Sequence, residues 1–277
     1  MMEHKIKLPK KGIDGFYGHV SDYSGQETEK KLRENVASKQ YSNYLDEISK
    51  HHSIPVMDTE VEQFLKGIPQ NGWILDIGGC WGWHWRNIPQ TRPDIKVVIL
   101  DFIRQNLSHA KIILKDDLDK NFYLVHGNTL SLDFDNNSFD GVWSVQTTQH
   151  IPEYRKVLLE VFRVLKTKGT FADYNLNTAR LLQFIYQLFG KKYHLEGNIK
   201  DTFFLRRVNK NSRLLISEIF GSNVKCRYTE ILFLPELGFP LGGKEHSVIG
   251  KLDSQISRFG VLFNFIARQK SFHINKP

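Results

Sequence analysis

The chain has 277 residues, 40% of them apolar and 12% aromatic, which excludes wholesale disorder, and no run approaches the roughly eighteen uninterrupted apolar residues of a membrane span. Its two cysteines, Cys80 and Cys226, are too few for a disulfide scaffold or a zinc cluster, and no metal is expected. The formal charge of +8 raises the question of nucleic acid, but Lys5, Lys7, Lys10 and Lys11 in one group and Lys191, Lys192, Lys200, Arg206, Arg207, Lys210 and Arg213 in another are spread out, with no aromatic RNA-binding platform; they read as solvated faces or as walls for an acidic small substrate.

Residues 1–24 mix Gly12, Gly15 and Gly18 with lysines and Phe16-Tyr17, which predicts an irregular arm docked on the body. The opening stretch lacks the apolar segment of a secretory signal, so a cytoplasmic location is expected. From Gln26 to about Lys50, spaced Leu32, Val36, Tyr41, Tyr44, Leu45 and Ile48 suit one amphipathic helix or two short ones. Such an N-terminal helical cap makes Tyr17, His19, Tyr41 and Tyr44 candidates for contacts over a pocket; the alternative is that these aromatics anchor the arm to a sheet edge. Asp58 or Thr59 serves as N-cap for a helix presenting Val61, Phe64 and Leu65, closed by Gly67 and Pro69. The division expected is an arm and cap over 1–57 and a main domain over 58–277.

Alternation of strand and helix then begins. The apolar strand Trp73–Asp76 breaks at once into Gly78 and Gly79, a helix opens near Trp81 to Arg86, and Pro93 punctuates the return to a second strand, Lys96–Asp101. In an open parallel sheet, ligands sit outside the carboxyl ends of the strands, and an acid ending the second strand is placed to accept both hydroxyls of a ribose. A dinucleotide loop cradles a pyrophosphate with its backbone. Here Asp76 stands two residues before the first glycine and would repel phosphate, so the ligand expected is a nucleoside with positive charge near that turn.

The run Asp76-Ile-Gly78-Gly79-Cys80-Trp81-Gly82 resembles the first motif of class I S-adenosylmethionine-dependent methyltransferases, roughly D-x-G-x-G-x-G, with the middle glycine displaced by one residue and Cys80 in its place. The resemblance continues in order along the chain. Phe122 to Asn128 looks like the third strand and its adenine-contacting turn, with Asn128 where the family more often has Asp. Ser138 to Pro152 looks like the fourth strand and its "SFDxV…HxP" signature. Tyr154 to Gly169 resembles the helix carrying "L.E..RVLKPGG", and Thr170–Tyr174 the fifth strand. The resemblance is strong over about 60–175. Beyond it, Thr178–Phe189 reads as a helix, Asp201–Val208 as a short turn or helix, Ser212–Gly221 as a helix closed by its glycine, and Val224–Phe233 and Val261–Arg268 as strands. The implied fold is α/β: a Rossmann-like, seven-stranded, mostly parallel sheet with helices on both faces and the last strand antiparallel.

The resemblance implies S-adenosyl-L-methionine as cofactor. Asp101 and neighbouring Phe102 would hold the ribose side, and Asp76 the amino group of the methionine portion. Gly78 and Gly82 would let the backbone pass the ligand, Asn128 and Thr129 would border the adenine, and Val145 and Gln146 would pass under the sulfonium. Trp81, Trp83 and Trp85 fit either cation–π contact with a sulfonium or plain packing. His150 is the first candidate for a general base, because it follows the fourth strand on the rim where the acceptor arrives, and His84 is the second. Tyr17, His19, Gln149 and Tyr174 are the substrate-binding candidates.

The expected reaction is methyl transfer to an oxygen or nitrogen of a small molecule, such as a sugar, a lipid-linked compound or a secondary metabolite. Substrate choice would lie in the arm and in inserts at about 178–212 and 234–258, whose aromatics and basic residues suit an acidic or glycosylated acceptor. Two alternatives stay open. An RNA or protein methyltransferase is disfavoured because Ser144-Val-Gln-Thr-Thr stands where amino-group nucleic-acid enzymes have Asn/Asp-Pro-Pro-Tyr. A non-catalytic, cofactor-binding scaffold subunit is kept open by Cys80 and Asn128. The apolar Thr178–Phe189 segment beside Lys191 and Lys192 also admits contact with a membrane surface.

Overall fold

A computed structural model describes residues 6–20, 23, 26–199, 203–221, 223–238 and 240–277. Lys5, Lys200 and the first two positions of the 201–208 segment lie outside these. The elements in chain order are α1 (Glu27–Ala37), α2 (Tyr44–Ile48), α3 (Ile54–Leu65), β1 (Trp73–Ile77), α4 (Ile88–Thr91), β2 (Lys96–Asp101), α5 (Arg104–Leu114), β3 (Phe122–His126), β4 (Phe139–Val145), α6 (Tyr154–Val164), β5 (Leu165–Leu176), α7 (Arg180–Leu188), β6 (Glu196–Ile199), β7 (Phe203–Arg206), α8 (Lys210–Phe220), β8 (Val224–Thr229), α9 (Val248–Ser257) and β9 (Gln269–Asn275).

All five residues of β1 are buried, as a strand covered on both faces requires, and it pairs in parallel with β2 on one side and β4 on the other. The seven-stranded sheet runs β3-β2-β1-β4-β5-β9-β8, with β9 antiparallel to both of its neighbours. The chain order reverses between β1 and β4, so the carboxyl ends of these strands open the crevice in which such sheets bind ligands. One face is packed by α6 and α8 through Val157, Leu158, Val161, Ile216 and Phe220. The other is packed by α3 and α5 through Met57, Phe64, Leu107 and Leu114, together with Trp83, Trp85 and Trp143.

The arm closes the free edge of β3. The Tyr17 N–H donates to Leu124 O at 2.9 Å and His126 N–H donates to Tyr17 O at 2.8 Å, so a one-residue bridge blunts the otherwise unpaired outer edge of β3.

Four elements differ from expectation. The helix α3 starts at Ile54, not after Asp58, because Pro55 fits the first turn and Ile54, Val56 and Met57 are buried there; it therefore runs across the 57/58 division. Phe203–Arg206 is a strand of the hairpin with Glu196–Ile199, not a helix. The strand β8 stops at Thr229, because Glu230 takes a left-handed φ of 55°. The stretch 261–268 is not a strand. Gly260 lies so close to Tyr228 O that a Cβ would stand 1.9 Å from it, and a 3₁₀ turn follows at Gly260–Phe263. The apolar run there faces outward, and the last strand begins only at Gln269.

Candidate active site

A cavity of about 680 Å³ opens at the carboxyl ends of β1, β2, β3 and β4, a volume within the usual range for small-molecule sites. Its floor is the loop after β1. Gly78 has φ 63°, and a Cβ on it would stand 2.3 Å from the Thr147 side chain; a Cβ on Gly79 would stand 2.5 Å from Asp76 Oδ2. Cys80, where the family motif has glycine, itself takes φ 51°, so the turn survives the displaced glycine. Its N–H donates to Asp101 Oδ2 at 3.1 Å, tying the turn to the end of β2.

Asp101 also accepts the Ile103 N–H at 2.8 Å and the Asn106 amide at 3.3 Å and 3.4 Å. Burial still raises its pKa to about 6. Asp76 accepts the Trp85 indole N–H at 2.7 Å, and burial raises it to about 7, against the lowering effect of that bond. Among the described residues neither acid has a salt-bridge partner. Two buried carboxylates 25 positions apart in sequence thus share one cavity with no cation bonded to either, the nearest being Arg33 in the roof, whose charge acts on Asp101 without a salt bridge, and the arrangement favours a positively charged ligand.

Further polar atoms in the wall are buried without partners: both ring nitrogens of His84, His52 Nδ1, Trp81 Nε1 and Gln146 Nε2. Buried polar groups are nearly always paired, so a cluster of unpaired ones lining a cavity marks where a ligand's groups belong. Gln146 holds φ 51° at the end of β4, strain of the kind found at binding sites. His52 and His84 lie with ring centroids 6.5 Å apart, and His84 stacks on Trp83 at 4.0 Å. Burial holds His52 down to about 3 and His84 well below the usual imidazole range, so both are neutral.

The roof is α1 and the β6–β7 hairpin, which contribute Gln26, Arg33, Phe203 and Phe204. The Asn128 amide donates to Gln26 Oε1 at 2.8 Å, and the Arg33 guanidinium lies 6.0 Å from the Phe203 ring.

Eight residues expected to touch the cofactor, Asp76, Gly78, Asp101, Phe102, Asn128, Thr129, Val145 and Gln146, line this one cavity. Gly82 does not. Its φ is 65°, and a Cβ would strike Ile99 at 2.6 Å and Leu114 at 2.7 Å, so its part is to let the loop pack on β2 and α5. The four substrate candidates all lie outside the wall. Tyr17 sits at the sheet edge with its hydroxyl on Asp119 at 3.0 Å, and the ring of His19 packs against His126 with centroids 5.8 Å apart. Gln149 is buried, its Oε1 accepting the Leu176 N–H at 2.8 Å. Tyr174 is wholly buried and donates its hydroxyl to Glu60 at 2.9 Å.

His150 does line the cavity, yet both of its nitrogens are engaged, Nδ1 with Phe204 O at 2.8 Å and Nε2 with the Gln149 amide at 3.1 Å. It fastens the hairpin of the roof, whereas both ring nitrogens of His84 are without partners. His52 and Arg33 escaped the sequence reading. Neither belongs to a motif, and only the packing of α1 and of the 49–54 segment brings them to the wall.

The sheet order, the antiparallel last strand and this crevice define the class I methyltransferase fold. Residues 75–172 match the methyltransferase domain family, and the chain carries a class I S-adenosylmethionine-dependent methyltransferase domain. It is 34% identical over 112 residues to a sterol 24-C-methyltransferase of Kluyveromyces lactis, covering 40% of this chain and 30% of the relative. It is 38% identical over 97 residues to a demethylmenaquinone methyltransferase of Lactococcus lactis, covering 35% of this chain and 38% of the relative. The matched segment thus spans about a third of these relatives' own length. Among solved structures, phosphoethanolamine N-methyltransferase 2 of Haemonchus contortus in complex with S-adenosyl-L-methionine superposes with a TM-score of 0.54 at 17% identity, over 79% of this chain and 52% of that one. S-adenosylmethionine is the cofactor of this family. The cavity fits it: two acids with no salt-bridge partner among the described residues, a glycine cradle that a Cβ would fill, and unpartnered polar atoms beyond.

Proposed function

We propose that the whole chain transfers a methyl group from S-adenosylmethionine to an oxygen of a small, largely apolar acceptor, with His84 as general base. The observation that carries this reading is that both nitrogens of His84 are buried and unpartnered in the cavity wall, on a neutral ring 6.0 Å from that of Trp143, whose backbone pairs with Asp76. The names of the two curated relatives, a sterol and a menaquinone-precursor enzyme, support an apolar acceptor. Ile48, Trp83 and Phe203 in the wall support it as well, more than the acidic or sugar acceptor expected from the basic balance.

Asp101 would hold the ribose, with Phe102, Asn128 and Thr129 around the adenine, and Asp76 would face the ammonium of the methionine portion. Gln146 Nε2 and His52 would offer donors to its carboxylate. When bound, the cofactor supplies an electrophilic methyl on a sulfonium. His84 would accept the hydroxyl proton of the acceptor, and α1 with the hairpin would exclude water from the site. Holding the acceptor in line can contribute about 7–11 kcal/mol to such a displacement. Both cysteines are free, which supports a reducing compartment such as the cytoplasm.

The test compares His84→Asn with the unaltered chain, with calorimetry for S-adenosylmethionine and product detection on phenolic and sterol-like acceptors. Expected is unchanged cofactor affinity with a lowered kcat, by less than the roughly 10²–10⁴-fold of a base whose pKa matches the working pH, because burial keeps His84 well below the usual imidazole range. Full activity in the variant would remove His84 as base. Absence of binding heat for S-adenosylmethionine would remove the methyl-transfer reading itself.

A further inference from the structure

The helix α9 is inside out. It buries Gly250, Asp253, Ser254 and Ser257 and turns Val248, Ile249 and Leu252 to solvent, with Val248 81% exposed. Its buried polar face is satisfied, because Asp253 accepts the Ile231 N–H at 3.0 Å and the Leu232 N–H at 3.1 Å. Phe259 and Leu262, in the turn that follows, are equally bare, Leu262 at 70%. The helix α7 has two apolar faces: Leu182 and Tyr186 are buried against Leu237, while Phe184 and Leu188 point outward, Leu188 at 68%. Scattered exposed apolar residues are ordinary, but two helices that each present an apolar stripe form a patch that asks for a partner.

The two segments share one anchor and one end of the molecule. The Asn177 amide, just before α7, donates to Asn264 O and Ala267 O at 3.0 Å each. Leu176, at the end of β5, lies opposite Gln269, at the start of β9, so α7 and the turn preceding β9 both sit at the carboxyl end of the parallel strands, where the cavity opens.

Charge selects the occupant. The sequence from 178 to 195 contains no Asp or Glu, and that from 240 to 265 contains only Glu245 and Asp253. Glu245 is taken by Arg86 at 2.7 Å, and Asp253 is buried. The exposed charges within these two segments are Arg180, Lys191, Lys192, Lys244, Lys251 and Arg258, of which Lys244 is paired with Asp46 at 3.5 Å. Apolar residues amid a basic rim, with no helix among the described residues long and apolar enough to cross a membrane, match a surface that lies on an anionic bilayer.

We propose that α7, α9 and the Gly260–Phe263 turn form a docking face for an anionic lipid surface, which brings the cavity to the bilayer. The proposal goes beyond methyl transfer and does not depend on it. The test is co-sedimentation of the full chain with vesicles of phosphatidylcholine, alone or mixed with phosphatidylglycerol. Expected is retention on the mixed vesicles that weakens with salt. Leu262→Asp and Val248→Asp should each reduce it by about tenfold, and Lys191→Glu with Lys192→Glu by about fivefold or more per lysine. The circular-dichroism melt and the calorimetric cofactor affinity of these variants should stay unchanged. Equal sedimentation of the unaltered chain and Leu262→Asp, or a concentration-dependent dimer in light scattering that Leu262→Asp dissolves, would overturn the lipid assignment, the second in favour of a second copy of the chain.

Discussion

At the level of single residues, the two acids of the cavity behave differently with and without a ligand. Asp76, with its pKa raised by burial to about 7, costs the free protein stability wherever it must ionise. That cost is absent below the unfolded value near 3.8, grows as pH rises, and is complete above about 7. Asp76→Asn should therefore raise the Tm of the cofactor-free chain at pH 8, by about 2–4 °C for each kcal/mol relieved, and leave it unchanged at pH 4. A variant that melts lower than the parent at pH 8 would contradict the burial argument. For the ligand the sign inverts. In the proposed placement the carboxylate form of Asp76 attracts the ammonium, so affinity for S-adenosylmethionine should fall as pH drops from 8 through 6. In the same placement Asp101 holds the ribose through charge-assisted bonds of about 1.5–3 kcal/mol each, so Asp101→Ala should weaken calorimetric binding at least about tenfold at pH 8, and by less below the raised value of about 6, where the parent's carboxyl is itself protonated.

At the level of elements, the loop after β1 and the roof are held by different means and should fail differently. Gly78→Ala would drive a methyl into Thr147, 2.3 Å away, at a left-handed φ where alanine is already strained. Cofactor binding should be lost while the far-UV circular dichroism spectrum stays that of the parent. His150→Ala cuts the tie between the turn after β4 and the β6–β7 hairpin. Its expected effect is a raised KM for the acceptor with kcat nearly kept, whereas a base would lose kcat; the kinetic split decides between the two roles. These two elements also show what could be read from sequence. The strand–acid–glycine run is local, its spacing is dictated by backbone geometry, and Asp76, Gly78 and Asp101 do line one cavity. The 261–268 stretch was misread because its apolar residues serve an outward surface, so apolar content no longer signals a buried strand. His52 and Arg33 were invisible because nothing local marks them. Tyr17 and Tyr174 were misplaced for the opposite reason: aromatic rings near a motif suggest a pocket, but Tyr17 was drawn to the edge of β3 and Tyr174 into the core.

At the level of the whole molecule, the cavity couples parts of the chain that are far apart in sequence. Its floor comes from β1 and β2, its far wall from His51 and His52, and its roof from α1 and the hairpin. The hairpin half of the roof is tied to the turn after β4 through His150 and Arg206, whereas α1 buries only Ala37 and its N-cap residue Gln26 accepts the Asn128 amide. A ligand filling the cavity would touch all three parts at once. Stabilisation by a ligand that binds only the folded state follows mass action, about 2.7 kcal/mol at one hundred times Kd. For a chain of this size that corresponds to a Tm rise of roughly 5–10 °C. Because α1 holds so little of its own core, the same ligand should also slow proteolysis within 27–37 far more than within α6, which packs Val157, Leu158 and Val161 against the sheet. Differential scanning calorimetry and limited trypsin digestion, with and without S-adenosylmethionine, measure the two effects separately. A Tm rise with no protection of α1 would mean that the cofactor occupies the floor while the roof stays uncoupled from it; protection of both shows that binding and closure are one equilibrium.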